Sequence, residues 1–190
     1  MSSSRLFWVV LMFAALGGGA VAQEKKGEAK EGSGQKAAEA AAKPEDVKSL
    51  DAIVAAVYDV ISGPPGARDW NRFHSLFAKD ARLIAVRPPK EGGKLSLVTM
   101  TPDGYADRAD KYFLEHGFFE HELSRKTDAY GAMTHLYSTY ESRETKDGKP
   151  IDRGINSMEF FHDGERWWCV EIYWDAERPG NPIPEKYLGK

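Results

Sequence analysis

The chain has 190 residues with 26 basic against 29 acidic side chains, a net charge of −3, and a single cysteine. Removing Arg5 with the amino-terminal leader described below leaves 25 of those 26 basic groups, about −4 overall, which argues against a nucleic-acid or anionic-membrane partner. Cys169 stands alone, so no internal disulfide can form and stability must come from a hydrophobic core.

The leader, MSSSRLFWVVLMFAALGGGAVAQ, places Arg5 before an apolar run over residues 6–16 and then small residues ending Ala20-Val21-Ala22. This is the layout of a secretory signal peptide over residues 1–22, with cleavage expected before Gln23. A membrane-spanning helix needs about 20 apolar residues, and Gly17-Gly18-Gly19 ends the run too early. No cysteine follows the cleavage position to carry a lipid, so the expected product is free in a periplasm or secreted. Residues 23–43, QEKKGEAKEGSGQKAAEAAAK, lack any aromatic residue and any Val, Ile or Leu. Such a stretch has nothing to bury against the entropy of ordering it, and it reads as a flexible linker. Residues 44–190 suit one compact domain.

Within that domain Ser49 or Asp51 is placed to cap a helix with Ile53, Val54, Val57, Val60 and Ile61 at helical spacing, stopped by Gly63-Pro64-Pro65-Gly66. A short second helix follows over residues 69–78, with Trp70, Phe73, Leu76 and Phe77 on one side. A strand over residues 81–86 breaks at Arg87-Pro88-Pro89, and residues 95–100 return after a glycine loop. Thr101 as cap with Pro102 in the first turn starts a third helix, whose stripe is Tyr105, Ala109, Tyr112 and Phe113. From Phe118 onward the pattern is strand, with Asp147-Gly148 and Asp163-Gly164 as two-residue hairpin turns. After Trp174, Pro179, Pro182 and Pro184 keep the tail, from about residue 176, out of the sheet's centre and on the surface.

Helices followed by an antiparallel meander make an α+β pattern, the sheet burying one face on the helices. The segments FHSLFAKDARLIAV, GFFEHEL, THLYSTYESR, RGINSMEFF and GERWWCVEIYWD together resemble the nuclear transport factor 2-like superfamily in its bacterial SnoaL-like branch, over about residues 47–174. The resemblance implies an NTF2-like cone: three helices in the amino-terminal half packed on a strongly bent, mostly antiparallel six-stranded sheet around an inner cavity. It also implies frequent homodimers through the sheet's outer face. It implies little about activity, since members include isomerases, dehydratases, epoxide hydrolases, binding proteins and trafficking factors.

Centring the hairpins on the two Asp-Gly turns predicts a register. The first pairs Thr139 with Asn156, Tyr137 with Met158 and His135 with Phe160. The second pairs Asn156 with Glu171, Met158 with Cys169 and Phe160 with Trp167. A three-residue loop at Ala129-Tyr130-Gly131 would set His121 beside Thr139. One face then carries an aromatic and thioether wall crossed by a polar band of His121, Thr139, Asn156 and Glu171, as a small-ligand cavity requires. The ligand-binding candidates are Tyr58, Trp70, Phe113, His121, His135, Tyr137, Thr139, Asn156, Met158, Trp167, Glu171 and Tyr173. The same band would also arise as a ladder satisfied within itself, with Asn156 donating to Glu171. The opposite parity of the last strand, Trp168, Val170, Ile172 and Trp174, is an apolar strip suited to a core or to a dimer contact.

Chemistry in such a cone would move a proton, with Glu171 as base, His121 or His135 as partner, and Asn156 or Tyr58 donating to a developing oxyanion. The catalytic Asp of ketosteroid isomerase-like members would fall near Ile84, Ala85 and Val86, so that mechanism does not carry over. No phosphate loop, nucleophile elbow or metal-type Cys/His spacing is present, and His116 and His121 straddle Gly117 with no second pair of ligands, so neither cofactor nor metal is expected. Three expectations follow: an exported domain binding a small, largely apolar molecule, a cofactor-independent lyase or isomerase, or an interaction module with a filled cone.

Overall fold

A computed structural model describes residues 41–89 and 93–189; the leader, nearly all of the linker and part of the glycine loop before the second strand lie outside the described residues. The elements run α1 (Pro44–Val47), α2 (Leu50–Ile61), α3 (Trp70–Ser75), β1 (Phe77–Arg87), β2 (Ser96–Met100), α4 (Pro102–Glu115), β3 (Phe119–Tyr130), β4 (Met133–Arg143), β5 (Pro150–His162) and β6 (Trp167–Ala176), then a 3-10 turn, Glu185–Tyr187. The strands form one six-stranded sheet in the order β2-β1-β6-β5-β4-β3. Only β1 and β6 are parallel; the other neighbours are antiparallel.

The helix starts follow from their caps. Ser49 accepts from Ala52 N at α2, Asp69 from Arg72 N at α3, and Thr101 from Gly104 N at α4, where Pro102 opens the first turn. The apolar stripe of α2 buries Ile53, Val54, Val57, Tyr58, Val60 and Ile61. It meets Phe73, Leu76, Phe77, Phe113, Leu136, Met158, Phe160 and Ile172 in one core. Each of the fully buried Leu136, Met158 and Phe160 contributes about 2 kcal/mol by leaving water. Arg72 joins the helices, donating Nε and Nη2 to Asp46 at 2.7 and 2.9 Å and Nη1 to Asp59. Its hydrogen bond holds the Asp46 carboxyl below the usual range.

A short helix, α1, precedes the three expected, and the second of these ends at Ser75 rather than residue 78 because β1 already begins at Phe77, four residues before the expected start. The other strands occur where expected, but their register differs in ways that trace to individual turns. β4 and β5 pair as Leu136 with Met158, Ser138 with Asn156 and Thr139 with Ile155, one residue from the expected alignment. Asp147-Gly148 does not form a two-residue hairpin. Gly148 N bonds Thr145 O at 2.9 Å inside a longer loop, and neither residue has the positive φ that a type I′ turn demands. Mid-strand Gly154 meets this alignment: a Cβ there would lie 2.6 Å from the Tyr140 hydroxyl and 2.5 Å from Asp175 O.

At the second turn Asp163 does not occupy a two-residue turn either. Its Oδ1 accepts from Glu165 N and Arg166 N, closing a four-residue loop, and its Oδ2 accepts from Trp168 Nε1 at 2.7 Å. These bonds, that from Trp168 first, pull its carboxyl down to about 2. β6 then pairs Cys169 with Phe160 but Glu171 with Glu159, so a bulge at Val170 turns the rest of the strand over. The β3–β4 loop is Gly131-Ala132 with Gly131 left-handed, not the three residues expected. A further bulge lies at Leu123, and β1 begins at Phe77, absorbing an irregularity where Asp80 takes φ 63°.

Candidate functional site

Rows across the helix-facing side of the sheet grade from apolar to polar. Phe160 lies beside Thr134 and Cys169; Met158 beside Leu136 and Ile172; Asn156 beside Ser138 and Trp174; Gly154 beside Tyr140; Asp152 beside Ser142. β3 extends the polar end with Glu122 beside Tyr140 and Glu120 beside Ser142. A polar band does cross the inner face, and of the four residues expected in it, His121, Thr139, Asn156 and Glu171, only Asn156 belongs to it.

Tyr58, Asn156, Met158 and Trp167 face or pack on the core side, with Trp70 and Phe113 in the helix layer above them. His121, His135, Tyr137, Thr139, Glu171 and Tyr173 are on the other face, which corrects the expected grouping: an odd shift at β4 and the Val170 bulge reverse their parity. His121 is exposed, 3.9 Å from Glu141; Glu171 lies 3.9 Å from Arg82; His135 bonds Ser157 at 3.0 Å. Thr139 is fully buried because the tail covers it, donating to Tyr187 O at 2.6 Å while Tyr137 packs on the Tyr187 ring. The apolar strip divides as well: Ile172 and Trp174 turn inward, Trp168 and Val170 outward.

The inner cluster is held from several elements. Ser62, at the end of α2, donates to Glu120 O and accepts from Glu120 N, fixing the start of β3 beneath the helix. Tyr58 shares a 2.6 Å hydrogen bond with Ser138 and accepts the Asn156 amide at 3.0 Å. Burial, sharpened by the Asp152 carboxylate, pushes Glu120 up to about 8, opposed by a hydrogen bond from Asn156. Burial also lifts Asp152, to about 6, while hydrogen bonds from Arg153 N and Tyr140 resist the rise. Burial thus favours the protonated form of both carboxyls, more strongly at Glu120. Burial raises the phenols of Tyr58, Tyr105 and Tyr140 as well.

Among the described residues no cation pairs with Glu120, and no group of three His, Cys, Asp or Glu side chains could hold a metal ion. Arg68 is consumed by structure, donating to the carbonyls of Ile61, Gly63, Pro64 and Gly66 while its guanidinium lies 4.8 Å from the Phe113 ring centroid. It lines an open groove of about 400 Å³ at the end of α2 with Asp59, Asp69 and Arg72, whose charges pair or cap locally. Aromatic surface surrounds the carboxyl cluster. Trp70 stacks on Phe113, Phe113 packs on Phe118, and Tyr105 meets Trp174 edge to face. Trp70, Tyr105, Phe118, Glu120, Asp152 and Trp174 all keep partial contact with solvent. The arrangement offers apolar walls, two carboxyls whose protonated forms burial favours, and an amide, a set suited to orienting a small molecule or moving a proton.

Sequence reasoning missed Glu120, Asp152 and Tyr140. The available signal was Gly154: a glycine amid a strand marks a close approach, and setting Tyr140 across from it yields the observed alignment.

No family model and no curated protein matches the sequence. Solved structures do match at the level of fold. LinA is 11% identical with a TM-score of 0.51, covering 69% of this chain and 85% of its own. A protein of unknown function with a cystatin-like fold from Nostoc punctiforme is 11% identical with a TM-score of 0.51, covering 71% and 92%. An NTF-2 like protein of unknown function from Silicibacter pomeroyi is 15% identical with a TM-score of 0.45, covering 68% and 94%. The helices over a mostly antiparallel six-stranded sheet thus make this chain a protein of the cystatin-like fold, with the α+β architecture that the sequence resemblance implies.

Proposed function

We propose that the protein is an exported domain that takes a small, largely apolar molecule into the cone, with the polar end of that molecule meeting Glu120, Asp152 and Asn156. The observation that carries this reading is the two inward carboxyls, Glu120 and Asp152, on a face that also carries Tyr105, Phe118 and Trp174, with no cationic partner on Glu120 among the described residues. A fold gains nothing by burying such a pair unpaired, whereas a ligand-binding surface uses it to orient a guest. Screening apolar molecules by native mass spectrometry and thermal shift tests the reading directly. Bound species whose affinity falls in Glu120→Gln support it; the same affinity in wild type and variant would move the site elsewhere, and no binder at all would favour a filled cone.

Export rests on the leader pattern of residues 1–22, and amino-terminal sequencing of the mature protein should begin at Gln23. A homodimer through the outer face is part of the proposal, supported by the exposure of Met133, Phe161, Val170 and Tyr173 there. A cofactor-independent lyase or isomerase is the second reading, favoured by one observation: two inward carboxyls, on either side of Ser142 in one row of the sheet, are drawn by burial to about 8 and about 6, the range in which acid and base work near neutral pH. In that case the proton-moving pair is Glu120 and Asp152, while Glu171 and His121 lie on the far side of the sheet.

A further inference from the structure

Asn156 is the one inner polar residue whose orientation decides what the cluster offers, because its amide presents a donor at one end and an acceptor at the other. The hydrogen bonds around it leave a single arrangement. Arg125 donates Nε and Nη2 to Glu122 Oε2 at 2.8 and 2.6 Å, and is itself held by Asp51 at 2.7 Å. The paired Glu122 carboxylate only accepts, so Ser138 Oγ must donate its proton to Glu122 Oε1 at 2.5 Å. With that proton spent, Ser138 accepts from Tyr58, and the Tyr58 oxygen is left to accept the Asn156 amide. Every donor in the chain thus points toward Glu122, from the inner cluster to the rim.

We propose that Glu122 is a positioning residue of the cone, acting through Ser138 and Tyr58 to lock the Asn156 amide with its nitrogen toward Glu120. The chain of bonds spans the interior at the point where α2, β3, β4 and β5 meet. It rests on the reading of the inner cluster as the site, and it assigns a function to a charge cluster that packing does not require. The groups facing Glu120 are Asp152 from β5, Tyr140 from β4, Tyr58 from α2 and Tyr105 from α4, with Glu122 two residues along β3.

Replacing Glu122 by Gln separates this mechanism from simple electrostatics. The Arg125 donors require the Gln oxygen on their side, so its amide nitrogen faces Ser138 and donates. Ser138 then donates to Tyr58, Tyr58 donates to Asn156, and the Asn156 amide turns its oxygen toward Glu120. Glu120 loses a donor, and its titration midpoint, followed by carbon NMR of its labelled carboxyl in the full-length protein, should move up by about half a pH unit or more. Loss of the Glu122 charge alone would move it down. Tyr58→Phe breaks the chain without any change of charge and should also raise the midpoint. A fall or no change in Glu122→Gln, or no change in Tyr58→Phe, overturns the proposal, and Tyr58→Phe decides alone if Glu122→Gln does not fold. Circular dichroism and urea midpoints report folding separately. A shifted midpoint in a protein that takes up no ligand would sink the binding reading and leave the positioning role standing.

Discussion

Replacing Glu120 by Gln keeps the shape of the side chain and removes its ionisation, so it isolates what the buried acid does to stability. Burial lifts this group from an ordinary value of 4.5 to about 8. Below pH 4.5 both folded and unfolded chains carry the proton, and the group contributes nothing. Between pH 4.5 and 8 the folded state holds the proton more tightly than the unfolded one, so wild-type stability must fall as pH rises across that window. At about 1.4 kcal/mol per pH unit the ceiling is about 5 kcal/mol, and relaxation of a carboxyl that water still reaches brings the expected loss to roughly 2 kcal/mol. Urea unfolding of wild type and Glu120→Gln from pH 5 to 9 reads it as a difference of two curves, which cancels other titrating groups. The curves should agree within about 1 kcal/mol at pH 5, and the variant should lead by roughly 2 kcal/mol at pH 9. Curves that stay parallel throughout would show that Glu120 does not carry a raised pKa.

The observed register is tested by Leu136→Ala against His135→Ala: the first should cost about 2–4 kcal/mol and the second under about 1 in urea unfolding, whereas the expected one-residue offset reverses the order. Gly154→Val puts a side chain onto the Tyr140 hydroxyl and Asp175 O and should cost about 2 kcal/mol or more, with loss of Tyr140 ordering in aromatic NMR spectra. Ser49→Ala removes the cap of α2 and should cost about 1 kcal/mol, read in the same denaturation. Thr139→Val deletes the donor to Tyr187 O, and limited proteolysis should then clip the tail faster while the rest of the domain stays intact.

How far the sequence reached depends on the distance over which each signal acts. Caps at Ser49 and Thr101-Pro102, the apolar stripe of α2 and the surface course of the proline-rich tail are all settled by residues three or four positions apart, and each is seen in the structure. Sheet register depends on turn geometry multiplied along a whole strand, and there the same reasoning failed. Asp147 and Asp163 each precede a glycine, but Asp163 uses its carboxylate to close a longer loop and Gly148 ends a turn that begins at Thr145. One residue of error at a turn puts Thr139 where Ser138 belongs, and one bulge at Val170 sends Glu171 to the opposite face.

The sequence by itself determined the α+β class and the capped starts of the main helices, and it pointed to a polar band on one sheet face, because composition, capping and hydrophobic spacing act locally. Which residues make that band was decided only by the tertiary structure. Tyr58 reaches Ser138 and Asn156 across the interior, and Tyr140 seats itself over Gly154. Those contacts join residues 14 to 98 positions apart, and they select the register in which Glu120 and Asp152 face the helices. Side-chain period in a strand is two, so the choice between faces is binary, and only packing on the helices can make it.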